Sequence, residues 1–102
     1  MRTFVEGDQP LLKRTCRKNA DHTVIDLTGY QTAKLYYRIE GGAELERTMT
    51  FLTPRTNGEV EYQFVSGEMV EGKLNARIGL VDAAGRTFWQ DPPIIANIAG
   101  RT

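Results

Sequence analysis

Ala33-Lys34-Leu35-Tyr36-Tyr37-Arg38-Ile39-Glu40, closed by Gly41-Gly42, is the stretch on which the fold turns. Ala33, Leu35, Tyr37 and Ile39 alternate with Lys34, Tyr36, Arg38 and Glu40. A period of two is that of a strand with one face buried and the other wet, since successive side chains leave a strand on opposite sides. Gly41-Gly42 tolerates the positive φ of a tight turn, so the spacing predicts a hairpin whose second arm is the Thr-rich run Leu45 to Leu52.

The same period recurs on both sides. Past the turn signal Asn57-Gly58, Val60, Tyr62 and Phe64 alternate with Glu59, Glu61 and Gln63, which predicts a third strand. Leu74, Ala76, Ile78 and Leu80 form a fourth, and Asp82-Ala83-Ala84-Gly85 turns it back into Arg86 to Gln90, a second hairpin. Asp91-Pro92-Pro93 is expected to interrupt pairing, because proline has no ladder donor, with Ile94, Ala96 and Ile98 resuming as a final edge strand. Upstream, Leu11 to Arg17 and Thr23 to Leu27 read as two more strands around the turn Asn19-Ala20-Asp21. About seven short strands with turn signals roughly a dozen residues apart mark an all-β protein, and an immunoglobulin-like β-sandwich of antiparallel strands is the expected architecture. The paired cysteines of antibody domains are absent, so the expectation concerns architecture alone.

The chain's 102 residues suit one domain, expected over residues 10–102, preceded by a segment 1–9 whose apolar anchors are only Phe4 and Val5. That segment reads as an arm that orders on a neighbouring subunit. With 40% hydrophobic and 25% charged residues the composition is that of a globular protein. Thirteen basic and thirteen acidic residues give zero formal charge, which argues against partners held by counterion release, nucleic acid and anionic membrane above all. No run approaches the roughly 20 apolar residues of a membrane helix, and the charged N-terminus lacks the apolar core of a signal peptide.

The residues offer little chemistry. One cysteine and one histidine supply neither a disulfide nor a Cys/His zinc site, so no metal or cofactor is expected. His22 beside Asp21 reads as a solvated turn residue, and Cys16 as a small buried apolar group in spite of Arg14 and Arg17 nearby. Glu59 and Glu61 share a strand face that reads as solvated, and a sandwich of this size has little depth for a substrate cleft, so enzyme activity is not expected. Binding is a different matter. Alternation forces Tyr36 outward if Tyr37 is inward, and forces out one of Phe88 and Trp89. Exposed aromatic rings anchor protein interfaces or stack on sugars. Tyr36 and Trp89, with Phe4 and Val5 of the first segment and Ile94, Ile95 and Ile98 of the last, are the interface candidates. The basic cluster Lys13, Arg14, Arg17 and Lys18 reads as an edge strand guarded by its charges.

Several of these motifs occur together in a recognisable order: Gly7-Asp8, Pro10-Leu11-Leu12, the Asp26-Leu27-Thr28-Gly29 signature after Val24, the Asn57-Gly58 turn, Gly72-Lys73-Leu74, and the Asp82 to Phe88 hairpin. In this the chain resembles the N-terminal domain of phage baseplate upper proteins and similar small immunoglobulin-like phage virion modules. The resemblance spans nearly the whole chain, though Asn19-Ala20-Asp21-His22 stands where the family usually has an acidic, Gly-containing turn. It implies a non-enzymatic structural part of a tailed phage or prophage virion, in the tail, baseplate, connector or capsid decoration. Such a part is made in the host cytoplasm and assembles with copies of itself and with other virion proteins. A carbohydrate- or receptor-binding β-sandwich module is the alternative, and it requires an outward aromatic pair such as Tyr36 with Trp89.

Overall fold

In the computed structural model, which describes residues 2–100, the chain is all-β, with no α-helix among the described residues. Seven strands run as β1 (Arg2–Val5), β2 (Leu11–Thr15), β3 (Tyr30–Ile39), β4 (Leu45–Phe51), β5 (Glu59–Gln63), β6 (Gly72–Asp82) and β7 (Thr87–Ala99). They join in one curled, mixed sheet of order β1-β7-β6-β3-β4-β5-β2. The two expected hairpins are present: β3 pairs β4 from Ala33 with Met49 to Tyr37 with Leu45, and β6 pairs β7 across the Asp82 turn. β4 carries the curl, pairing with β3 up to Met49 and with β5 at Thr50 and Phe51.

Alternation decides which face is filled. Ala33, Leu35 and Tyr37 of β3, and Leu74, Ala76, Ile78 and Leu80 of β6, are buried, and they meet Leu12, Cys16, Val60 and Phe64 inside the curl. Tyr37 and Tyr62 each present a ring edge-on to Phe64, at centroid distances of 5.6 and 5.0 Å. Polar turns hold the ends. Asp26 accepts from the Thr28 backbone N–H and hydroxyl, which bends Asp26-Leu27-Thr28-Gly29 into a short 3-10 turn and leaves Leu27 fully buried. Asp82 does the same for the second hairpin through the N–H groups of Ala84 and Arg86.

Four expectations change. The Thr23 to Leu27 run forms no strand: Val24 makes a single bridge to Arg17, because the Asp26 cap diverts the backbone into the 3-10 turn. Asp91-Pro92-Pro93 does not divide β7. The β6–β7 register slips between Ala76, opposite Ile94, and Ile78, opposite Gln90, so the three residues oppose Arg77 alone as a bulge that asks no ladder donor of the prolines. β7 is also not an edge, since β1 pairs parallel with it from Arg2 with Ala96 to Val5 with Ala99. The described part of the 1–9 segment is therefore no detached arm: Arg2–Val5 is a strand, Phe4 packs against the core, and Gly7 donates its N–H to Met69. One inward apolar residue, Phe4, suffices when a neighbouring strand supplies the backbone partners. Met1 lies outside the described residues.

Candidate interaction surface

The outer face of the β3–β6–β7 sheet brings together residues far apart in sequence. Tyr36 lies opposite Arg77, and Trp89 lies opposite Gly79. A Cβ on Gly79 would stand 3.2 Å from the Trp89 ring and 2.9 Å from the Thr87 methyl, so the missing side chain is what lets the indole lie across the sheet. The bulge leaves Arg77 diagonal to Trp89, where its guanidinium stacks 4.2 Å from the ring centroid. Tyr36 meets the indole edge-on at 5.1 Å. The indole remains 39% exposed. Trp, Tyr and Arg are the residue types that carry most interface binding energy when they sit in one cluster.

The surroundings are polar and mainly basic. A shallow hollow of about 260 Å³ beside the cluster is lined by Tyr36, Arg38, Glu44, Asn75 and Arg77. Lys34 pairs at 3.1 Å with Glu46, which stands opposite Tyr36 on β4. Partial burial and the Glu46 carboxylate both raise the Tyr36 phenol above its ordinary value, so it stays protonated and able to donate.

The candidate interface residues divide by strand parity. Trp89 and Ile95 project from β7 on the outer face with Tyr36, and Val5 joins them from β1, opposite Ala99; Val5 and Ile95 are exposed. Phe4 and Ile94 point the other way and pack against the core, and Ile98 is 3% exposed within it. Those three are structural: Phe4 and Ile98 face inward side by side where β1 pairs with β7, and Ile94 faces inward opposite Ala76. Arg77 and Gly79 are the members that sequence reading passed over. Alternation puts both outward, but their pairing with Trp89 depends on the hairpin register.

The second polar cluster lies on the opposite face of β3, at Tyr37, and is partly buried. Glu68, its side chain 8% exposed, accepts hydrogen bonds from the hydroxyls of Tyr37 and Tyr62, from Arg47 Nε and from the Val65 N–H. Burial alone would raise this carboxyl, but the four donors together outweigh it and hold Glu68 below the ordinary carboxylate range. Every acceptor site is used, so the cluster clasps the Val65–Val70 loop to β3, β4 and β5. Cys16 is fully buried, and burial pushes its thiol up to about 11 against the pull of Arg14, which makes it inert as a nucleophile near neutral pH. His22 sits in a turn at φ 61°, its N–H donated to Lys18. Among the described residues no three His, Cys, Asp or Glu side chains group as a metal site.

No protein-family model matches this chain, and no curated protein matches it.

Proposed function

We propose that this chain is a non-enzymatic structural component of a tailed-phage or prophage virion, an immunoglobulin-like module that associates with its own copies and docks onto other virion proteins. The observation that carries the docking half is the Tyr36–Arg77–Trp89 cluster on an otherwise polar sheet face. The immunoglobulin-like reading draws support from strand order: β2 and β5 with the end of β4 make one layer, β4, β3, β6, β7 and β1 the other, and the first strand runs parallel to the last. The virion assignment draws on the motif order from Gly7-Asp8 to the Asp82 hairpin.

A second reading has one observation in its favour. Tyr36 and Trp89 form the outward aromatic pair that a glycan-binding face requires. Against it, Arg77 already covers a face of the indole, where a sugar ring would stack.

Sedimentation of the purified chain across concentration, with a glycan-binding screen in parallel, separates the two. Self-associated species that dissociate in Trp89→Ala and Arg77→Ala, with a silent screen, support the assembly reading. A monomer that binds sugar saturably, with binding lost in Trp89→Ala, overturns it in favour of the second.

A further inference from the structure

We propose that Asn57 is a site of spontaneous covalent modification, its side chain cyclising onto the Gly58 nitrogen, and that the fold gates the reaction by holding the turn that contains both residues. The chemistry is the same whatever assembly the chain joins. Asn57 is exposed, and glycine presents no Cβ to shield the nitrogen that follows it. The Gly58 N–H gives its proton to hydroxide and the nitrogen attacks Asn57 Cγ. A new C–N bond closes a five-membered imide while the bond to the side-chain nitrogen breaks, and that nitrogen takes a proton from water and leaves as ammonia. Water then opens the imide at either carbonyl, giving aspartate at 57 or an isoaspartyl link in which the main chain runs through Cβ and is longer by one carbon. No group is oxidised or reduced.

The folded turn forbids ring closure. Arg55–Asn57 is a 3-10 turn between β4 and β5. The Asn57 N–H is donated to the Pro54 carbonyl at 3.0 Å and the Gly58 N–H to the Arg55 carbonyl at 3.1 Å, so the attacking nitrogen is tied up as a donor. Its approach to Cγ requires the Asn57 ψ to swing by about 90° from the 3-10 value. Gly58 is in no position to follow that swing: it is buried at φ 71°, ψ 20°, and its carbonyl accepts the Cys16 N–H at 2.7 Å. The reaction therefore waits for local opening, as amide exchange does, and its rate is that of the open chain multiplied by the open fraction.

The same packing explains why so labile a pair stands here and why its product does not return to the fold. A Cβ at Gly58 would meet the Val24 side chain at 2.7 Å, so the left-handed corner requires glycine. Past it, the Leu52 N–H bonds the Glu59 carbonyl at 3.0 Å, which seats β4 on β5, while the Cys16 bond seats the end of β2. An extra main-chain carbon between Asn57 and Gly58 throws these two bonds out of register. Opening of the turn is thus recorded covalently, and the chain that carries the record is the one that refolds poorly. Asn19, Asn75 and Asn97 precede Ala20, Ala76 and Ile98, whose side chains hinder the same attack.

The full chain is aged at pH 8 in buffer, in urea below the unfolding midpoint and in urea above it, and isoaspartate is quantified at each asparagine by peptide mapping. In the unfolded chain Asn57 should react ahead of Asn19, Asn75 and Asn97. In buffer its rate should fall at least about tenfold and should climb with urea in step with amide exchange at Gly58. Asn57→Asp, which carries the charge of a product without the longer main chain, should melt close to the wild type, whereas aged chains with isoaspartate at 57 should be cut by trypsin under conditions that Asn57→Asp survives. Equal rates in the folded and unfolded chain, no isoaspartate at 57 in either, or isoaspartyl chains as resistant to trypsin as Asn57→Asp would overturn the proposal.

Discussion

The Tyr37 hydroxyl, on the third strand, donates a 2.6 Å hydrogen bond to Glu68, thirty-one residues away on a loop that has no regular structure of its own. Together with Tyr62 and Arg47 it turns a carboxylate into the fastening of that loop. Buried networks of this kind stabilise only while every member is paired, because a lost partner leaves a desolvated group behind.

Glu68→Gln should therefore cost about 2 kcal/mol, since one carbonyl oxygen must serve donors that two carboxylate oxygens served. The wild-type pH dependence follows from the lowered folded-state value. The Glu68 contribution is complete above the ordinary value of 4.5 and is lost as the pH falls below it through the folded value. Urea titrations between pH 3 and 6 should show this component in the wild type and its disappearance in the variant. An unchanged pH profile in Glu68→Gln would refute the clasp.

Gly58→Ala should be among the most damaging single changes. Gly58 has φ 71°, and a Cβ there would lie 2.7 Å from the Val24 side chain and 2.8 Å from the Ile25 carbonyl. Backbone strain and steric clash together cost about 3 kcal/mol, which for a domain of this size lowers the melting temperature by more than about 10 °C. Gly67, also at positive φ but in open space, provides the control: alanine there pays the strain alone and should melt closer to the wild type.

The Cys16 thiol should resist iodoacetamide at pH 8 in the folded protein and react at once in urea. Burial raises its value from 9.0 to about 11, so at pH 8 the folded state holds far less of the reactive thiolate than the unfolded chain, and the core covers the sulfur as well. Stability from this group is whole below pH 9 and declines as the pH rises from 9 toward 11. Prompt alkylation under native conditions at pH 8 would show that the layer over Cys16 opens.

Removing residues 1–9 should lower the melting temperature by about 10 °C, because it strips a paired strand and the Phe4 contact with the core. An appended arm would leave melting unchanged. Calorimetry on the truncated chain decides between them.

Asp8→Ala should cost little stability but release the outward N–H of Val5, while the backbone N–H at position 8 still holds the Val5 carbonyl. Light scattering on concentrated samples should then show association through β1 that the wild type lacks, and an unaltered scattering profile would mean that Asp8 does not guard that edge.

Local pattern alone determined the strands of both hairpins, the third alternating run and the inward set from Ala33 to Tyr37, since side-chain direction along a strand follows from the pleat. The turn at Asp82 was legible for a similar reason, as a carboxylate and the amides two and four residues on are enough to make it, whereas the Asp26 turn was hidden inside a run that reads as a strand. Tertiary structure decided whatever depends on which strand lies beside which. It made Arg2–Val5 a strand by placing it against β7, buried Ile98 as a consequence, and ran β7 unbroken through two prolines by slipping the register opposite Arg77. The gathering of Tyr36, Arg77 and Trp89, and of Tyr37, Tyr62 and Glu68, belongs to the same category. A sequence states each residue's preference for inside or outside, but the meeting of residues thirty or fifty positions apart is set by long-range pairing that no local window contains.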